Sequence, residues 1–128
     1  MVKTIPQGGP LQRGQVKTAN KTSSPRDLEA DLLLQAASQL QSIRDGWETK
    51  HTELNAALNN NRKLWTLLVA TVTRPENPLP ANIRQNVANI GLYVFKQTIA
   101  AMANPRPEHL GSLININREL ASGLRSHA

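Results

Sequence analysis

Asn61-Arg62-Lys63-Leu64-Trp65-Thr66, then Pro75-Glu76-Asn77-Pro78-Leu79-Pro80, then Arg84, Asn86 and Asn89-Ile90-Gly91-Leu92 follow one another in the middle of this chain of 128 residues. Their order predicts the end of one helix, a corner stiffened by three prolines, and the start of the next helix. Each proline lacks an N–H and restricts the residue before it, so neither helix can run through the corner. The asparagines are the unusual component. Their side chains compete with the backbone for hydrogen bonds, which makes Asn a mediocre helix former. Asn59, Asn60, Asn61, Asn82, Asn86 and Asn89 in or beside two amphipathic helices point to specific polar contacts.

Upstream of the corner, a helix is expected from about Thr52 to Thr73, with Thr52 as its cap and Glu53 in its first turn. Leu54, Leu58, Trp65, Leu68 and Val72 form its apolar line, and Asn61 stands on that line where an apolar residue belongs. Asn61 either fixes helix register through a buried hydrogen bond or meets the backbone of a bound peptide. Downstream, a helix from Pro80 or Ala81 to Ala103 carries Ile83, Val87, Ile90, Val94, Ile99 and Met102. Gly91 costs this helix about 1 kcal/mol relative to Ala, which suggests close approach of a neighbouring helix or a ligand.

Farther out, Ser24, Pro25 and Asp27 make a strong helix start. Leu33, Ala36, Leu40, Ile43 and Trp47 continue it as one stripe, which should fail between Gly46 and Lys50. A last helix starts near Pro107 and uses Leu110, Leu113, Ile114, Ile116, Leu120 and Leu124. The expectation is therefore an all-α protein, a compact bundle of four main helices over residues 24–128. Residues 1–23 contain Pro6, Gly8, Gly9, Pro10 and Gly14 with no periodicity, and read as a flexible basic tail.

Apolar residues make up 39% and aromatics 3%, so the core has to be built from Leu, Ile, Val and Ala, which suits helix packing. Cysteine is absent, which removes disulfides and thiolate chemistry and fits a reducing cytoplasm. No secretory signal and no membrane span are expected, because the longest strongly apolar run is Leu67-Leu68-Val69-Ala70. The net charge of +6 is uneven. Lys3, Arg13, Lys17 and Lys21 fall in the acid-free first 23 residues, leaving 11 of the 15 basic residues against all nine acids. The tail is basic and the body nearly neutral.

No catalytic constellation emerges. His51, His109 and His127 have no helical metal spacing, Asp27, Glu29 and Asp31 suit a helix start, and Gly8-Gly9 follows no strand. Catalytic residues, metal ligands and cofactors are accordingly not expected. Arg62, Lys63, Arg74 and Arg84 are either a small basic patch or a solvated helix face. Trp47 and Trp65 are either core or the wall of a groove for a partner helix.

Together these motifs resemble the FlaF family of bacterial flagellar biosynthesis regulators. The resemblance spans about Ser24 to Leu124. It rests on Pro25-Arg26-Asp27-Leu28-Glu29, on the three central motifs quoted above, on Asn115-Ile116-Asn117-Arg118-Glu119-Leu120 and on Gly123-Leu124. It is not expected to extend over the first 20 or so residues. What it implies is a non-enzymatic cytoplasmic protein needed for filament production, associated with flagellin and acting as counterpart to a second regulator, FlbT. Joined to the residue reading, it suggests a chaperone that shields an amphipathic segment of flagellin in a groove between the second and third helices. The expected partner-binding residues are Trp65, Leu68, Ile83, Val87 and Ile90 along the groove, Asn61, Asn86 and Asn89 at its edge, and Arg62 and Arg84 attracting acidic groups. The alternatives are an RNA-binding regulator of flagellin message, disfavoured by the near-neutral body, and an adaptor to FlbT.

Overall fold

The computed structural model describes residues 24–126; the basic tail expected over residues 1–23 lies outside them, as does His127. α1 (Pro25–Asp45) begins as its first residues dictate. Ser24 Oγ accepts the Asp27 N–H at 3.1 Å, and Pro25 stands where no backbone donor is needed. Ala30, Leu33, Ala36, Ala37, Leu40 and Ile43 turn one face inward. The helix yields at Gly46, whose N–H closes on Ser42 O at 3.0 Å.

A single helical turn, α2 (Trp47–Lys50), and a 3-10 turn (His51–Glu53) lead directly into α3 (Leu54–Val72). Thr52 is therefore not the cap the sequence suggested. The Leu54 N–H bonds to His51 O, so the preceding turn meets the donors that a side-chain oxygen would otherwise take. Trp47 is half-buried at the edge of the core, its ring tilted against His51.

The proline corner is held by Asn77. Its amide nitrogen donates to Thr71 O at 3.2 Å, and its Oδ1 accepts the Leu79 N–H at 2.9 Å. Leu79 is thereby buried as a plug under the bundle end. α4 (Ala81–Ala103) follows, with Pro80 O taking both the Ile83 and Arg84 N–H groups at 3.0 Å. The last helix winds its first turn as a 3-10 segment (Pro107–Leu110) before α5 (Gly111–Arg125).

α5 lies along α1, while α3 packs between α1 and α4, and the four long helices close around one core. There is no strand among the described residues. Leu33, Leu40, Ile43, Leu58, Leu113 and Ile114 are fully buried, each contributing about 1.5–3 kcal/mol through burial. The approach of α3 to α4 depends on Gly91. A Cβ there would stand 2.5 Å from Val69 Cγ2, so the glycine serves a neighbouring helix.

Two apolar lines differ from expectation. The buried line of α4 is Val87, Gly91, Val94, Thr98 and Ala101, and Ile99 lies on the far side, 66% exposed. In α5 the inward positions are Leu113, Ile114, Asn117, Ala121 and Leu124, while Ile116 and Leu120 are half-buried.

Candidate functional site

Asn61 and Trp65 occupy one face of α3 because they are four residues apart. Both are fully buried, and both turn toward Asn117 of α5. Trp65 Nε1 donates to Asn117 Oδ1 at 2.9 Å, and Asn117 Nδ2 donates to Asn61 Oδ1 at 2.7 Å and to Leu33 O at 3.3 Å. The indole N–H and the Leu33 carbonyl together fix which way the Asn117 amide faces, and through it the Asn61 amide. One group is left over: Asn61 Nδ2 is buried without a partner. Of the two roles open to Asn61, the geometry gives the internal one, a tie between α3, α5 and the backbone of α1.

The groove expected beside Trp65, Leu68 and Val87 is therefore closed. These three side chains and Asn61 are inside the core, covered by the packing of α3 on α4 at Gly91 and by α5. The sequence supplied the apolar line correctly but not what lies over it. Ile83 and Ile90 are half-buried against the core, and Ile90 borders a shallow groove with Ile116, Leu120 and Gly123 of α5. Arg84 is half-buried and ties the corner, donating from Nη1 to Arg74 O at 3.2 Å. Only Arg62, Asn86 and Asn89 of the expected set are exposed. Arg62 donates to Asn59 Oδ1 at 3.1 Å, and Asn89 Oδ1 accepts from Gln85 at 3.1 Å. The ten residues thus do not converge on one surface.

What does face outward is a second apolar row on α4. Ala88, Leu92, Phe95 and Ile99 recur at spacings of four, three and four, which places them along one side of the helix. Leu92 is 62% and Ile99 66% exposed, with Ala88 and Phe95 half-buried between the row and the core. A helix apolar on two sides is built to be covered on two sides. α3 covers one of them. The signal was present in the sequence as the scarcity of polar residues between Val87 and Ala103, which a single-stripe reading passes over.

Another apolar depression, about 290 Å³, lies between α1 and α3, lined by Leu32, Gln35, Asn60, Lys63, Leu64 and Leu67. At the bundle end a smaller one collects Pro25, Arg26, Glu29, Thr71, Asn77, Pro78 and Leu79. Burial there raises the Glu29 carboxyl above its ordinary value of 4.5, and the Arg26 guanidinium pulls it partly back. Among the described residues no three His, Asp or Glu side chains gather to hold a metal, and no helix is long and apolar enough to cross a membrane. These surfaces offer apolar contact and surface charge, the ingredients of binding.

The family described as flagellar protein FlaF matches residues 14–124 of this chain. The match reaches back to residue 14, into the segment where no resemblance was expected. No curated protein and no solved structure matches the chain.

Proposed function

The chain belongs to the flagellar protein FlaF family, and from that membership we propose that it is a non-enzymatic cytoplasmic binding protein that holds flagellin as a secretion chaperone before filament assembly. Flagellin subunits associate through amphipathic segments, and such a segment stays soluble when its apolar side is laid on a partner's apolar face. The observation that carries this reading is the outer row of α4, with Leu92 and Ile99 both mostly exposed on a helix already packed by α3 on its other side. Solvent-exposed apolar rows of this kind mark protein contacts more often than idle surface. Arg62 and Asn89, exposed beside that row, supply polar contacts at its rim.

The test compares purified flagellin with flagellin leader RNA as ligands of the full chain by isothermal titration calorimetry. Flagellin should bind, with modest loss between about 50 and 200 mM salt, because apolar burial is not screened, whereas phosphate contacts lose orders of magnitude over that range. Steeply salt-dependent binding to the RNA with none to flagellin would reverse the assignment.

A further inference from the structure

The helix that carries the exposed row and its hairpin partner α3 contain no carboxylate at all. From Leu54 to Val72 the charged residues are Arg62 and Lys63, and from Ala81 to Ala103 they are Arg84 and Lys96. Arg74 and Glu76 lie in the corner between them. The ion pairs among the described residues lie elsewhere: Arg44 with Asp45 on α1, and Arg125 of α5 with both Asp27 and Asp31 of α1. Asp27 and Asp31 of α1 are thus engaged with α5, and the cations of the α3–α4 hairpin have no carboxylate partner among the described residues.

The placement of two of these cations is specific. Lys96 follows Leu92 by four residues and precedes Ile99 by three, so it neighbours both on the helix surface. Arg62 precedes Val69 by seven residues, two turns back along the side of α3 that meets Gly91. Antiparallel pairing of the hairpin around that contact brings Arg62 level with Thr98, seven residues past Gly91 and next to Ile99. The apolar row is therefore flanked by a cation from each helix.

We infer that this face is selective for an acidic amphipathic helix: about three turns long, with an apolar row matching Ala88, Leu92, Phe95 and Ile99 and carboxylates on both flanks to meet Arg62 and Lys96. The inference rests on the protein-binding reading above and specifies its ligand. Exposed charges of this kind contribute little affinity, but they speed encounter and reject partners of like charge. A nucleic acid would meet the same cations, yet the surface between them is Leu and Ile, and Tyr93 is the one exposed aromatic among the described residues for a base to stack on.

Three synthetic helical peptides with an identical leucine row and Glu, Gln or Lys flanks, each titrated into the full chain by fluorescence anisotropy, test this. The Glu-flanked peptide should bind at least about tenfold more tightly than the Lys-flanked one, with the gap narrowing as salt rises. The double variant Arg62→Glu/Lys96→Glu, with an unchanged circular dichroism spectrum, should invert the order. Equal binding of the three peptides, or an order unchanged in that variant, overturns the inference. So does displacement of the Glu-flanked peptide by a single-stranded RNA oligonucleotide. If flagellin binds while the peptides show no charge preference, the inference fails and the chaperone reading stands. If the Glu-flanked peptide binds selectively while flagellin does not, the chaperone reading fails and the selectivity stands.

Discussion

Asn117 is the hub of a side-chain network that ties three helices across the interior, and its three bonds are not equivalent. It satisfies the Trp65 indole N–H and reaches the Leu33 carbonyl, whereas Asn61 accepts one bond and keeps its buried Nδ2 amide group unpaired. Removing Asn117 strands the indole donor and the Asn61 oxygen together, while removing Asn61 leaves Asn117 still bonded at both other ends. Asn117→Ala should therefore destabilise the protein by about 2 kcal/mol or more, and Asn61→Ala by clearly less, because an unpaired donor is deleted with it. Equilibrium urea unfolding of the two variants and their double mutant checks the order, and the double should cost less than the sum. Asn61 was legible in the sequence as a polar residue on an apolar line. Asn117 carries the same signature between Ile114 and Ala121, but Ile116 and Leu120 offer a competing stripe that conceals it.

At the scale of elements, the helices and their ends follow from local chemistry. Ser24 and Pro25 set the first start, Gly46 its end, and the three prolines the corner, since each acts on backbone groups within a turn of itself. What local chemistry does not decide is which of two solutions a backbone adopts when both satisfy it. Thr52 had the chemistry of a cap, and a 3-10 turn took the same donors instead. Gly91 illustrates the opposing terms. Alanine there favours the helix by about 1 kcal/mol yet drives a methyl group into Val69, which as a β-branched residue has little freedom to move aside. Gly91→Ala should lower the melting temperature, and Val69→Ala/Gly91→Ala should recover part of the loss because the clash is gone. A single variant as stable as the parent would mean that α3 and α4 can separate slightly without cost.

For the whole molecule the decisive fact is the division of surface. Acids and ion pairs knit α1 to α5, while helices α3 and α4 carry no acid and α4 is apolar on its outer side. The sequence pointed to this hairpin, but to its inner side. Periodicity identifies apolar lines without telling which one a neighbouring helix covers, so Trp65, Leu68 and Val87 read equally well as groove or core. Only packing assigns them to the core and leaves Leu92 and Ile99 outside. If this outer row is the flagellin-binding face, as proposed, the double variant Leu92→Ser/Ile99→Ser removes it without disturbing the core, because neither side chain contributes to the core. Its thermal unfolding should match the parent within the small effect of a surface change, while titration calorimetry against flagellin should show affinity reduced by at least about tenfold. Undiminished flagellin binding in a folded variant would place the flagellin contact away from this row.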